Sequence, residues 1–139
     1  MTEPTIVRRA RVLVYSSDPR VRERIHVALG VRPTPGWELE LVDASTGAEV
    51  VATCDAGGVD IAVLDGEAAP TGGLGLCRQL KDELDAPPAV LVVIGRRDDA
   101  WLATWCRAEA VVQHPIDALR LTEAVTSLLP GADVVVPGH

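Results

Sequence analysis

Polar side chains that could do chemistry follow three apolar runs of the sequence. Ser16-Ser17-Asp18 follow the first run, Asp65 follows another, and His114 follows a third. A carboxylate in such a place can bind a cation or act as a weak nucleophile, and hydroxyl or imidazole groups can hold a ligand by hydrogen bonds. The alternative is structural: Asp65 as a cap or turn former, the serines as cap and turn residues, and His114 as a hydrogen-bonded loop residue.

The elements that must position these residues alternate between strand and helix patterns. Apolar or alternating runs predict five strands, at residues 12–15, 37–42, 61–64, 89–94 and 110–113. Apolar residues at helical spacing predict a helix after each strand, at about residues 19–29, 47–54, 76–84, 98–107 and 117–129. The predicted N-caps of the first, second and fourth helices are Ser17 or Asp18, Ser45 or Thr46, and Asp98 or Asp99. The predicted apolar stripe of the last helix is Ala118, Leu121, Val125 and Leu128.

Five strand–helix units in a row predict one α/β domain. Right-handed crossovers place helices on both faces of a parallel sheet, so we expect a flavodoxin-like (βα)5 three-layer sandwich with strand order 2-1-3-4-5. Its predicted extent is residues 11–129, with an N-terminal tail at 1–10 and a C-terminal tail at 130–139. The loops at 16–18 and 65–67 then meet at one rim, with Gly95 and His114 closing its far side.

Composition limits the partners. The 139 residues carry a formal charge of −7, which disfavours nucleic acid, because a nucleic-acid binder needs a basic face. No run approaches the ~18 apolar residues of a membrane span, and the N-terminus lacks the pattern of a secretory signal, so we expect a cytoplasmic protein. Cys54, Cys77 and Cys106 lie in apolar stretches and are interpreted as small buried hydrophobes.

The rim resembles the receiver domain of bacterial response regulators, over about residues 11–129. The most specific segment is DIAVLDGEAAPTGGLGLCRQLK, in which Asp65 falls at the family's phosphoacceptor position and Gly73 keeps the expected distance from it. SSDPRVRERI, RRDD and HPIDALRLTEAV match in register. The resemblance implies transfer of a phosphoryl group from a histidine kinase to Asp65, without further enzymatic activity of the domain itself.

The chain departs from this family at the residues that support the phosphoryl group. The resemblance implies two acidic metal ligands where this chain has Ser16 and Ser17, a hydroxyl where it has Gly95, and a lysine where it has His114. The aromatic switch residue that the family implies is replaced by Val111. The loop proline is one place late, at Pro70, and the cis or trans state of His114–Pro115 stays open.

These replacements predict that Mg²⁺ binds only weakly, if at all, and that no other cofactor is needed. Hard cations prefer carboxylate ligands, and two of them are replaced by hydroxyls. Asp18 and Asp65 are at most weak ligands, because Asp18 is also a candidate helix cap. Millimolar affinity still requires about 4 kcal/mol in total.

Three functions compete. The first is an atypical, stand-alone response regulator that binds proteins independently of phosphorylation, through a face of the fourth helix, fifth strand and fifth helix carrying Trp105, Val111 and Ala118. Trp101, four residues from Trp105, is expected in the core. The partner on that face is another protein or a second copy. The second function is a working phosphoacceptor fed by a histidine kinase. The third is a flavodoxin-like binder of a small ligand, which the scarcity of aromatic residues disfavours.

Overall fold

The structure is a computed structural model that describes residues 7–69 and 72–130. Strand and helix alternate through the described chain, as β1 (Arg8–Tyr15), α1 (Pro19–Leu29), β2 (Trp37–Ala44), α2 (Gly47–Asp55), β3 (Ile61–Asp65), α3 (Gly73–Glu83), β4 (Ala89–Ile94), α4 (Ala100–Trp105), β5 (Ala110–Gln113) and α5 (Ala118–Leu128). All strand pairs are parallel and the order is β2-β1-β3-β4-β5, which confirms the predicted fold and topology.

Alternation along the strands divides the core into two halves. Leu13 and Tyr15 of β1 point to the face covered by α2, α3 and α4, whereas Val12 and Val14 point to the face covered by α1 and α5. The three cysteines are buried and free, on the first of these faces. Burial raises the pKa of the Cys54 thiol to about 11.

The first strand begins earlier than the sequence predicted. β1 starts at Arg8 because residues 8–11 pair with β2 beyond the point where β3 begins, opposite Val12. This part of the β1–β2 pair is more exposed to solvent than the core, so its side chains alternate and form ion pairs instead of an apolar run. Arg9 Nε lies 3.4 Å from Glu38, and Arg11 Nε lies 3.2 Å from Glu40. The predicted domain boundary at residue 11 therefore falls inside a strand. Residues 1–6, 131–139 and Pro70 lie outside the described residues.

Helix starts follow the capping residues. Asp18 and Thr46 are the N-caps of α1 and α2, each accepting a hydrogen bond from a backbone N–H of the first turn. Asp117 caps α5 in the same way. Ala118 is exposed, so the predicted stripe of α5 is wrong at its first residue, which lies on the outer side of the first turn.

The fourth helix is shorter than predicted. A 3-10 turn at Arg97–Asp99 precedes α4, and the Asp99 carboxylate pairs with Arg96 at 3.2 Å instead of capping the helix. Arg107 follows with φ 64°, in the left-handed region, which ends the helical path at Cys106. Only Ala103 within α4 is buried.

Candidate functional site

Three loops at the carboxyl end of the sheet form one crevice of about 300 Å³. Every rim residue singled out from the sequence lines it: Ser16, Ser17, Asp18, Asp65, Gly95 and His114. Glu67 and Ala68 complete the wall that follows β3. The crevice lies between β1 and β3, where the strand order reverses and ligands bind in folds of this type.

Asp65 lies at the end of β3 with only 3 % of its surface exposed. Its Oδ2 accepts a hydrogen bond of 2.7 Å from the Ser16 hydroxyl, and its Oδ1 accepts one of 2.9 Å from the backbone N–H of Glu67. His114 Nε2 lies 3.1 Å from the same Oδ1. Both carboxylate oxygens are therefore engaged inside the protein, which offsets the cost of burying the charge. Burial, and then the negative charge of Asp65, raise the pKa of the Tyr15 hydroxyl beneath it.

The two serines have distinct roles, and neither caps α1. Ser16 is fully buried, and its Oγ donates to Asp65 while accepting a hydrogen bond of 3.0 Å from the backbone N–H of Asp18. Ser17 is exposed, and its Oγ accepts a hydrogen bond of 3.1 Å from the backbone N–H of Ala69. Sequence reasoning missed the burial of Ser16, since a serine after an apolar run is equally typical of a turn.

Asp18 is occupied by its own helix. Its Oδ1 accepts from the backbone N–H of Arg20 at 2.9 Å, and the Arg20 guanidinium pairs with both carboxylate oxygens at 3.2 and 3.3 Å. The hydrogen bonds and charge of Arg20 lower the pKa of the Asp18 carboxyl. Asp18 therefore caps α1, as the sequence predicted, and its carboxylate is paired with Arg20.

Close approaches at two glycines shape the crevice. A β-carbon on Gly73 would lie 2.8 Å from backbone atoms of Leu64 and Asp65, so the start of α3 packs directly on the end of β3. A β-carbon on Gly95 would overlap the Glu67 carboxylate, lying 2.5 Å from its Cδ. The sequence contained Glu67 beside Asp65 but no signal for where its side chain would go.

Comparisons with known proteins agree on the family. The sequence matches no protein-family model. Response regulatory proteins from two strains of Mycobacterium tuberculosis, CDC 1551 / Oshkosh and H37Rv, are 52 % identical to it over 120 residues, which cover 86 % of this chain and 90 % of theirs. The chain belongs to the response regulator family.

Solved structures show the same fold at lower identity. A CheY-like receiver domain protein from Methanospirillum hungatei matches with a TM-score of 0.72 at 18 % identity, covering 91 % of this chain and 98 % of that one. The response regulator TrrA from Thermotoga maritima, solved in complex with Mg²⁺-BeF, matches with a TM-score of 0.69 at 24 % identity, covering 86 % and 99 %. The described residues thus form a CheY-like receiver domain, of the kind that serves two-component signalling.

The crevice of this receiver domain does not fit Mg²⁺. Within residues 7–69 and 72–130, no group of three or more His, Cys, Asp or Glu side chains is placed to hold a metal ion. Asp65 has both oxygens engaged, Asp18 is paired with Arg20, and the Ser16 hydroxyl already donates to Asp65. A hard cation prefers several oxygen ligands that are free to turn toward it, and these residues do not supply them.

His114 connects the crevice of the receiver domain with a second, larger cavity. It precedes a cis peptide bond to Pro115, and it lines both the Asp65 crevice and a groove of about 830 Å³ between α4, β5 and α5. The groove is also lined by Arg97, Ala100, Val111 and Arg120. Val111 is 39 % exposed, in line with its predicted place on this face.

Trp101 does not lie in the predicted core, and Trp105 is exposed as predicted but on another side of α4. Trp101 is 66 % exposed, so its assignment to the core is wrong; the inward positions after α4 begins are taken by the small residues Ala103 and Cys106. Trp105 is 48 % exposed, but it faces α3: the Arg78 guanidinium lies 5.1 Å from its ring centre and donates to its backbone carbonyl at 2.8 Å. The α4 side of the groove is formed by Ala100 instead.

Arg78 belongs to a small charged network between α3 and the end of α4. Its Nε donates to Asp82 at 3.1 Å, and Arg107 pairs with the other oxygen of the same carboxylate. The network fixes Trp105 against α3 while leaving half of its ring in solvent.

In the described part of the chain, no helix is long and apolar enough to cross a bilayer.

Proposed function

We propose that this receiver domain is an atypical, stand-alone interaction module whose binding to other proteins does not depend on phosphorylation of Asp65. The observation that carries the proposal is the closed hydrogen bonding of the Asp65 carboxylate by Ser16, the Glu67 N–H and His114. These bonds occupy about three of the four lone-pair sites of the carboxylate, which weakens it as a nucleophile toward phosphorus. The domain on this view has no enzymatic activity and uses no cofactor.

Electrostatics support the proposal further. The residues that line the crevice include the carboxylates of Asp65 and Glu67 and that of Asp18, which is paired with Arg20, and none of the lining residues is lysine or arginine. A phosphoryl donor is anionic and would approach like charges in a confined space. His114 is shorter than the lysine that the family resemblance implies, and its Nε2 already lies 3.1 Å from Asp65 Oδ1.

Binding on this proposal uses the surface around α4. The groove between α4, β5 and α5 offers Val111 beside Arg97 and Arg120. The exposed Trp101 and Trp105 lie on α4 outside this groove, with Trp105 against Arg78 of α3. Exposed tryptophan and arginine are enriched at binding hot spots. The expected occupant is a cytoplasmic protein or a second copy of the chain, because a self-complementary contact requires no other gene product.

Phosphoryl transfer to Asp65 from a histidine kinase is the second candidate function. Its support is the position of Asp65 at the end of β3 in an intact receiver crevice, together with the kinship to response regulatory proteins. Binding of a flavin-like small ligand is less well supported, because no aromatic residue of the described chain lines the crevice.

Acetyl phosphate with Mg²⁺ distinguishes the first two functions. The unmodified chain is incubated with both and analysed by intact-protein mass spectrometry, with Asp65→Asn as the control. We expect no phosphoryl adduct, and no saturable shift of the Asp65 amide in an NMR titration with millimolar Mg²⁺. A hydroxylamine-labile adduct that disappears in Asp65→Asn would overturn the proposal in favour of the phosphoacceptor.

A further inference from the structure

We propose that the Glu67 side chain is a built-in occupant of the Asp65 crevice, which holds the space beside Gly95 and keeps anionic groups away from Asp65. The inference rests on the proposed function and deepens it, because it names the residue that closes the crevice. The sequence alone offered only a second acidic residue next to Asp65.

The backbone that carries Glu67 is fixed by the crevice itself. Three consecutive amides are bound there: Glu67 N–H to Asp65 Oδ1 at 2.9 Å, Ala68 N–H to the Asp65 carbonyl at 3.2 Å, and Ala69 N–H to Ser17 Oγ at 3.1 Å. The direction in which the Glu67 side chain leaves the backbone is therefore set by the residues that surround Asp65.

The side chain then lies across Gly95. A β-carbon at that position would overlap Oε1 and would lie 2.5 Å from Cδ and 3.1 Å from Cγ of Glu67. Oε1, Cδ and Cγ of Glu67 are thus all close to the position of that β-carbon. The end of the side chain therefore lies along Gly95 at the mouth of the crevice. Any side chain at position 95 and the Glu67 carboxylate therefore compete for the same space.

The charge of Glu67 acts in the same sense as its volume. Of the three carboxylates that line the crevice, Asp18 is paired with Arg20, while Glu67, whose charge also helps to raise the pKa of Arg96, adds its negative charge to that of Asp65. Repulsion between like charges grows as water is excluded, so a small anion approaching Asp65 meets both. Glu67 as a whole is exposed, which places this barrier at the entrance.

A direct consequence concerns restoration of phosphoryl acceptance. Replacing the four divergent residues by the family's types, with Ser16→Asp, Ser17→Asp, Gly95→Thr and His114→Lys, places a threonine into the space of Glu67. We expect this fourfold variant to accept the phosphoryl group poorly, and the addition of Glu67→Ala to raise acceptance about tenfold, equivalent to roughly 1.4 kcal/mol.

The test compares the fourfold variant with and without Glu67→Ala, with Glu23→Ala in the same background as the control for loss of an exposed glutamate. Each is incubated with acetyl phosphate and Mg²⁺; an Asp65 oxygen bonds to phosphorus, acetate leaves, and mass spectrometry counts the adduct. Equal labelling with and without Glu67→Ala, including none in either, overturns the inference. Labelling of the unmodified chain overturns the proposed function instead.

A stability measurement tests the shared space in the chain without the other substitutions. Gly95→Ser, Glu67→Ala and the double variant are unfolded in urea. Because the end of the Glu67 side chain can turn away, we expect only a small loss in the free energy of unfolding for Gly95→Ser when Glu67 is present, and a smaller one when it is combined with Glu67→Ala. Additive effects of the two substitutions would mean that the side chains do not compete, and the inference would fail.

Discussion

The crevice around Asp65 and the outer side of α4 differ in what their side chains contact. Those of the crevice bind other groups of the chain, whereas those on α4 are exposed to water. In the crevice, a nearly buried carboxylate is bound by a buried hydroxyl, a backbone amide and an imidazole. On α4, two tryptophans keep 66 % and 48 % of their surface in water although small residues fill the interior side of the helix. The first region is closed within the chain, and the second is left open.

The difference indicates where a partner would gain most. A ligand that binds Asp65 competes with hydrogen bonds that are already made, and each buried group that it leaves unsatisfied costs about 1–3 kcal/mol. A partner that covers Trp101 or Trp105 removes apolar surface from water at about 25 cal/mol per Å². Recognition at α4 thus begins with a favourable contribution, whereas recognition at Asp65 begins with an unfavourable one.

Gly73→Ala should have the largest effect, because it tests how tightly the closed region is packed. A β-carbon there would meet backbone atoms at 2.8 Å, which no side-chain rotation can relieve. We expect the free energy of unfolding in urea to fall by about 3 kcal/mol. Gly75→Ala on the same helix has open space around it and should raise stability by about 0.5–1 kcal/mol. Equal tolerance of both variants would contradict direct packing of α3 on Asp65.

Trp105→Ala tests the open region. We expect it to weaken self-association or partner capture about thirtyfold, or ~2 kcal/mol, as measured by sedimentation or a binding assay. Loss of the contact with Arg78 should cost about 1 kcal/mol of stability or less.

Trp101→Ala sharpens the same test, because this exposed side chain makes few contacts within the fold that the substitution could remove. Its stability should change by about 0.5 kcal/mol or less. A loss of several kcal/mol would mean that Trp101 is packed in the core, which would contradict its exposure. Unchanged association in both variants would place the binding surface elsewhere.

The serine pair provides a matched comparison within the crevice. Ser16→Ala leaves a buried oxygen of Asp65 without its donor, so we expect a loss of about 2 kcal/mol in the free energy of unfolding. Ser17→Ala removes one hydrogen bond at an exposed side chain, and about 0.5 kcal/mol is expected. Similar losses would mean that Asp65 is not dependent on Ser16.

Asp18→Asn should have the smallest effect, a slight loss of stability that is present above about pH 4 and disappears in acid. Arg20 lowers the pKa of the Asp18 carboxyl in the folded state, so the pair stabilises the fold above the unfolded carboxyl value of about 3.9 and this contribution is lost as the pH falls through the lower folded value. Asparagine still caps α1. Thermal unfolding between about pH 5 and pH 2 should therefore depend less on pH in the variant, and high salt should reduce the difference.

Most of the fold follows from short-range patterns. Buried parallel strands are continuous apolar runs, so β3 and β4 were predictable almost to the residue, and the caps of α1 and α2 were among the predicted residues. β1 was predicted too short because residues 8–11 pair with one neighbour only and lack the apolar run.

The site was predictable in its membership but not in its hydrogen bonds. Topology brings Ser16, Asp65, Gly95 and His114 together, and it requires no side-chain detail. The donors to Asp65 and the path of Glu67 depend on rotamers fixed by the loop backbone, which no sequence period encodes. Trp101 was misassigned because hydrophobicity favours the interior, while the small space beneath that helix accepts only Ala103 and Cys106.

The shared carboxylate of Asp82 gives α3 and the end of α4 a mechanical connection. Arg78 of α3 and Arg107, which follows α4, both bind this carboxylate. Arg78 also lies over the ring of Trp105 and donates a hydrogen bond to its carbonyl. At its other end, α3 rests through Gly73 on the backbone of Asp65. The helix α3 thus contacts both the open surface at Trp105 and the closed crevice at Asp65. Because linkage is reciprocal, any effect that a partner at Trp105 has on binding of a ligand at Asp65 equals the effect of that ligand on the affinity for the partner.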